Sequence, residues 1–281
     1  MDTQPKNREW KRYPQKDFGR RRSEICKARD FSMSWYLRWC AELREQPYFH
    51  RKQWEYVYVI QALWERHCIR PGMRGLAFAV GTEPLPSIFA NYGCDILATD
   101  ILPEKGIEKG WDNQDQLCLG IDSLNKRGLC KEEIFKNRVE YIPLDMNHIP
   151  SEIRNYDFNW SSCSFEHLGD MEKGFAFLKN QLKTLKPGGW AVHTTEYNLS
   201  SNDDTQDHND TVIYRHRDIE RIVTELRQEG HFVEETDYSL GNLPEDFQVD
   251  FQPHEQKVHL RLQVDQYITT SIGLIIRKKE S

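Results

Sequence analysis

Four residues in the middle of the chain carry side chains that can move a proton: Glu166, His167, His193 and Glu196. Histidine titrates near neutral pH and is the ordinary choice of general base. His167, directly after an acid, is the first candidate for that role. His193 sits in a run where Trp190, Val192 and Thr194 share one face, so it reads equally as a packed, hydrogen-bonded histidine. Glu196 closes that run and stands where it would touch a substrate. The same four side chains are also the oxygen and nitrogen donors a divalent cation takes.

A second constellation lies upstream. The stretch 75–100 reads GLAFAVGTEPLPSIFANYGCDILATD. An apolar run at 76–80 is too short for a helix and reads as a buried strand. A turn starts at Gly81. Pro84 fits a first helical turn, where its missing N–H would have no partner. Leu85, Ile88 and Phe89 then fall on one helical face. A further strand, 95–99, ends at Asp100. The interval from Gly81 to Asp100 matches the roughly 20 residues that separate a nucleotide-binding glycine turn from an acid holding ribose hydroxyls. A dinucleotide site would ask for three glycines, so that a pyrophosphate can lie on bare backbone. Here one glycine is followed by Thr82, Glu83 and Pro84, which repel and crowd a pyrophosphate. A nucleoside cofactor with a cationic amino-acid end suits the turn better, and S-adenosylmethionine is of that kind.

The surrounding elements must position these groups. Two amphipathic helices, broken near Pro47, are expected between residues 23 and about 70, as a lid or as packing on a sheet. A helical piece is expected at 112–124. Strands are expected at 139–143, 156–160 and 190–195, and helices at 172–185 and 217–229. Lys186-Pro187-Gly188-Gly189 reads as a sharp breaker between helix and strand. Segments 258–264 and 267–276 read as a closing antiparallel pair. Alternating strands and helices indicate an α/β fold with a doubly wound, mostly parallel sheet. The expected division is a basic flexible arm at 1–22, a helical extension at 23–71 and the main domain at 72–281.

Composition sets the frame. The chain has 281 residues, 12% of them aromatic, enough for a full core. No stretch approaches the ~18 apolar residues of a membrane span, and the first residues lack an apolar signal core. Seven scattered cysteines with no C-x-x-C pair fit reduced thiols in a cytoplasmic protein. The net charge is −6, yet residues 1–29 hold ten Lys/Arg against four Asp/Glu. This basic start lacks a nucleic-acid motif and reads as a solvated tail, so nucleic acid is not the expected partner.

Five motifs in order, AVGTEPL, DILATD, LDMNHIP, YDFNWSSCSFEHLGD and LKPGGWAVHTTEYN, resemble the class I S-adenosylmethionine-dependent methyltransferases over residues 72–276. The resemblance implies a Rossmann-like sheet of seven strands with an antiparallel C-terminal strand. It implies that Gly81, Thr82 and Glu83 border the methionine end of the cofactor. Asp100, with Ile101 beside it, would accept from both ribose hydroxyls. Asp145 would face the adenine amino group, with Met146 at the ring, and Ser161 and Ser162 would border the methionine moiety and the substrate. Some quinone O-methyltransferases of this superfamily hold a metal near a Glu-His pair. Here Cys163 replaces the acid they carry three residues before Glu166, so no metal is expected.

The polar, acidic loop 200–210 is expected to rim the pocket or to be a plain insertion. Walls of Trp, Asn, Asp and His suit a hydroxylated acceptor. The expected activity is O-methylation of a polar small molecule or a sugar or glycan hydroxyl. The rivals are a nucleic-acid or protein methyltransferase using the basic start, and a catalytically inactive protein of the same fold. The N/D-P-P-Y/F signature of base methylation is absent, since YDFNWSSCS stands in its place.

Overall fold

The computed structural model describes residues 20–108, 117–209 and 211–280. The chain's short apolar runs become strands β2 (Arg74–Ala77), β3 (Asp95–Asp100), β4 (Val139–Pro143), β5 (Tyr156–Ser162) and β6 (Leu185–Asn198). They lie parallel in the order β4-β3-β2-β5-β6. The order reverses between β2 and β5. Open α/β sheets bind ligands at such a switch point, beyond the carboxyl ends of the strands. β11 (Tyr267–Arg277) runs antiparallel along β6, and β10 (Arg261–Val264) forms a hairpin with β11. All seven expected strands are present. Four short ones, β1 (Ser23–Ile25), β7 (Phe232–Val233), β8 (Thr236–Asp237) and β9 (Val249–Asp250), bring the sheet to eleven.

Helices cover both faces. On one side lie α1 (Ser34–Leu43), α2 (Arg51–Glu65), α3 (Leu85–Asn91) and α5 (Glu132–Arg138), around a core containing Trp39, Trp54, Phe89, Phe135 and Trp160. On the other lie α6 (Met171–Asn180) and α7 (His216–Gln228), around Phe78, Phe165, Phe177 and Ile222. A further short helix, α4, spans Pro103–Glu108. The 15-residue α2 has no glycine or proline, and the His50 ring caps it by accepting from the Lys52 N–H at 3.1 Å. It packs on β5, β6 and β11. Tyr58 can lie on β11 because Gly273 has no Cβ: one built there would stand 2.1 Å from the Tyr58 ring.

Several expectations need correction. Residues 23–25 are not helical but a strand, β1, paired antiparallel to β11. The chain then passes through a short 3-10 turn, Ala28–Ser32, before α1. Arg20, Arg21 and Arg22 do not form part of a flexible arm. The Arg21 N–H donates to Glu65 at 2.5 Å, Arg66 donates to the Arg21 carbonyl at 2.9 Å, and the Tyr58 hydroxyl donates to the Arg22 carbonyl at 2.6 Å. The rest of that arm, 1–19, lies outside the described residues. Of the helix expected at 112–124, residues 112–116 also lie outside the described residues, 117–120 are not helical, and Ile121–Asn125 is a short 3-10 turn. The helix expected at 172–185 ends at Asn180. Lys186-Pro187-Gly188-Gly189 does not separate helix from strand; it lies inside β6, as an irregularity opposite Tyr156 and Phe158. Among the described residues no helix is long and apolar enough to cross a membrane.

Candidate functional site

At the switch point, strand ends and turns converge on Asp100. This carboxylate is 3% exposed and accepts three backbone N–H groups. Gly81 donates to Oδ2 at 3.0 Å, Ile101 to Oδ1 at 2.8 Å and Cys118 to Oδ2 at 3.1 Å. Gly81 makes its bond from a left-handed backbone (φ +50°), which a glycine adopts without strain. Burial pushes the Asp100 carboxyl up, and the three N–H groups oppose that shift. Because a carboxylate has about four acceptor directions, one remains free with Cys118 in place. The expected two-point ribose contact therefore requires the Cys118 N–H to withdraw.

Glu83, from the same turn, does not face solvent. It is 4% exposed and accepts the Trp160 Nε1–H at 2.5 Å. Burial raises its pKa to about 8, against the Trp160 bond, the Ser162 hydroxyl and the more distant Lys52. The Ser162 hydroxyl faces Glu83 but is buried without a well-formed hydrogen bond. Thr82 lines a cleft of about 200 Å³ with polar Ser87, Ser123, Lys126 and Arg127 and apolar Pro84, Leu124 and Leu129. Two non-glycine residues just past β2 and β5, Ala79 and Cys163, are both left-handed at φ +48°. Strain of this kind gathers at sites where backbone direction matters more than local stability.

The carboxyl ends of β5 and β6 meet the start of α2 in a buried ionic group. Arg51 pairs with Glu196, which also accepts the Thr269 hydroxyl at 2.5 Å. Lys52 pairs with Glu55 at 2.7 Å. Glu55 accepts from the Ser271 hydroxyl at 2.5 Å and from the Cys163 thiol at 3.0 Å. Burial alone would raise the Glu55 pKa, but the Lys52 and Arg51 cations outweigh it and hold the carboxyl below its usual value. Glu166, 1% exposed, accepts the Thr195 hydroxyl at 3.0 Å. Burial pushes its carboxyl up, the adjacent His167 opposes this and Glu196 adds to it. His167 is only half-buried, with Nδ1 3.4 Å from the Thr211 hydroxyl.

The structure sorts the remaining sequence candidates. His193 is fully buried, with Nδ1 2.8 Å from the Ser161 hydroxyl and its ring packed against Phe177 and Phe165. Burial lowers its pKa to about 3. His193 is thus the packed histidine, and Ser161 is its partner rather than a lining group of the crevice. Asp145 makes its hydrogen bonds locally. It takes the Asn147 N–H at 2.9 Å and lies near His148, which is a local turn cap. Met146 is buried in the core beside Leu144 and Ile153. Over its described residues, 200–209, the loop is no loose insertion: Asn198 takes the Ser200 and Ser201 N–H groups, and Arg215 reaches the Asp203 carbonyl. It leads to Thr211, at His167. The four donors considered for a cation do not assemble. Cys163, Glu166 and Glu196 stand within 4.8 Å of one another, a group that does not include His167 or His193.

The α2 residues Arg51, Lys52 and Glu55, together with Thr269 and Ser271 from β11, were not among the sequence candidates. The sequence does carry a signal for them: an Arg-Lys-x-x-Glu set opens a helix whose next five residues, Tyr56 to Ile60, are all apolar or aromatic.

No family model matches the sequence, and no curated protein matches it either. Among solved structures, the [4+2]-cyclase SpnF superposes with a TM-score of 0.51 at 17% identity, over 76% of this chain and 78% of that one. The methyltransferase domain of bacterial CtHen1 gives 0.49 at 12% identity, over 81% of this chain and 100% of that one. An S-adenosylmethionine-dependent methyltransferase from Clostridium acetobutylicum ATCC 824 gives 0.45 at 14% identity, over 82% and 92%. The likeness to SpnF carries the fold, and at this identity the fold alone. A fold does not name a reaction; function lies in the site.

Proposed function

We propose that this chain, which has the class I methyltransferase fold, transfers a methyl group from S-adenosylmethionine to a hydroxyl of a polar small molecule or sugar. One observation carries the reading: Gly81, Asp100 and Glu83 meet at the switch point of the sheet, with the buried Ser162 hydroxyl facing Glu83. The residues fit the cofactor. Asp100 would hold the ribose through its free acceptor direction, and through a second once Cys118 withdraws. Glu83 and Ser162 would receive the cationic amino-acid end. Bound there, the cofactor supplies a methyl group on a sulfonium centre, an electrophile that needs no further activation.

The chain's own residues do the rest. A buried, protonated Glu83 ionises when a cation arrives, because a nearby positive charge favours the carboxylate. α2 covers the crevice and, through the Arg51–Glu196 pair, keeps the ends of β6 and β11 in register with it. An acceptor hydroxyl must lose a proton as it attacks, and His167, half-buried beside Glu166, is the group to take it. The charged and hydroxyl-bearing walls favour a polar acceptor over an apolar one.

The test is direct. The purified protein is incubated with S-adenosylmethionine carrying a labelled methyl group and a panel of sugars and hydroxylated small molecules. The reading predicts label in at least one hydroxylated product. Failure to bind the cofactor at all would overturn it.

A further inference from the structure

Away from the crevice, a turn after β9 gathers side chains the proposed reaction does not use. Asp250, His254 and His259 each bring one ligand atom within 4.8 Å of the others. We propose that these three residues bind one divalent transition-metal ion of the zinc class.

The chemistry of the set supports this class. Two imidazoles and one carboxylate are borderline donors, suited to zinc-like ions rather than to magnesium or calcium, which take oxygen ligands. The Asp250 carboxylate is fully buried, and among the described residues its one ion-pair partner is His259. A buried charge without a firm counter-charge is costly, and a cation at this point balances it. Both rings are also fixed against Asp250. His254 Nδ1 lies 3.2 Å from the Asp250 carbonyl oxygen, and His259 Nδ1 lies 2.5 Å from Asp250 Oδ2. The hydrogen bond at His254 Nδ1 sets the tautomer that leaves its Nε2 as the electron-pair donor, whereas His259 turns Nδ1 itself toward the Asp250 carboxylate, so an ion beside that carboxylate takes the Nδ1 lone pair in place of the hydrogen bond.

The backbone brings the three together. Asp250 ends β9, which pairs with β10. A tight turn follows, closed by the His254 N–H on the Phe251 carbonyl at 2.8 Å, and it folds His254 back toward Asp250. His259 is pinned from the other side. Its N–H donates to the Phe49 carbonyl at 2.7 Å, its carbonyl accepts from the Arg51 N–H at 3.0 Å, and the His50 ring stacks on it at 4.3 Å. His50 itself is not a ligand here, since its Nδ1 already accepts from Lys52. An ion at this place fastens the 251–259 turn to the start of α2, where Arg51 and Lys52 begin the crevice.

The test needs only the full chain and the metal alone. After treatment with a chelator, the protein is titrated with Zn²⁺ against a chromophoric competitor, and separately with Co²⁺ while the visible spectrum is followed. One equivalent should bind, Co²⁺ should give the ligand-field bands of a nitrogen- and oxygen-ligated site, and Zn²⁺ should raise the melting temperature. His254→Ala, on the turn, should weaken Zn²⁺ binding by about 100-fold or more while the metal-free protein melts as before. Asp250→Asn gives a second variant should that one fail to fold. Absence of stoichiometric binding by the wild type overturns the proposal, and so does wild-type affinity in both variants. Loss of binding in Glu166→Gln but not in His254→Ala would put the ion in the crevice and also overturn it. None of these outcomes depends on whether the protein transfers methyl groups.

Discussion

At the level of single residues, burial divides the candidates. His167 is half-buried and adjoins a buried acid, whereas His193 is sealed under Phe177. His167→Ala should lower turnover by roughly 10²–10⁴ and leave cofactor affinity unchanged. If Glu196→Ala loses turnover while His167→Ala keeps it, the base is the carboxylate. His193 and Glu83 should show themselves in stability instead. His193, at about 3 in the fold, stays neutral where the unfolded chain is protonated, so its contribution is lost as pH falls below about 6.5. The slope is about 1.4 kcal/mol per pH unit for one proton. Glu83, raised to about 8 from 4.5, acts in the opposite sense: its contribution is full below 4.5 and lost as pH rises through 8. The two oppose each other between about 4.5 and 6.5, so their contributions cancel there. Urea unfolding of His193→Asn and Glu83→Gln at pH 5, 6.5 and 8 should reveal each slope by its disappearance; unchanged slopes would place both groups in contact with water. Glu83 was legible as an acid beside a glycine turn, but its burial against Trp160 was not, because that contact comes from β5, far along the chain.

Among the elements, β1 and α2 changed most between sequence and structure. β1 is three residues, Ser-Glu-Ile, with no alternation to announce a strand; only its pairing with β11 makes it one. The sequence leads to the expectation that removing residues 1–22 is harmless. The bonds made by Arg21 and Arg22 argue otherwise, since Glu65, Arg66 and Tyr58 would each lose a partner. A chain starting at residue 23 should be less stable than one starting at residue 20 by about 1 kcal/mol or more, because the buried Tyr58 hydroxyl is left unpaired while Arg66 keeps Glu234 and Glu65 keeps Gln61. Equal urea midpoints for the two would show that these bonds contribute nothing. In α2 the helix itself was legible from its apolar spacing and the break near Pro47. Its active face was not. Arg51, Lys52 and Glu55 look like a solvated helix surface until the ends of β5 and β6 are brought against them. Arg51→Ala should leave Glu196 buried without its cation and lower both stability and turnover, as read by melting and by the methyl-transfer assay.

For the whole molecule, the doubly wound sheet follows from short apolar runs alternating with helical spacing, and these were visible in the chain; the strand order and the switch point were not, since they rest on the pairing of β2 with β5 across the fold. The seven main strands match their expected places to within a few residues. The glycine–acid interval located Asp100 because the geometry of one strand-turn-helix-strand unit is local. The cap that Cys118 places on Asp100 left no trace in the sequence, since any residue type supplies a backbone N–H. The central claim is that a nucleoside with a cationic amino-acid end binds where these groups meet, and calorimetric titration with S-adenosylhomocysteine tests it most directly. The account predicts saturable 1:1 binding to the wild type at pH 7, with release of up to about one proton as Glu83 ionises, read from the dependence of the heat on the buffer. It further predicts a loss of about 2–3 kcal/mol in a folded Asp100→Ala variant. Equal affinity in that variant, or NADH bound as tightly as S-adenosylhomocysteine, would contradict it.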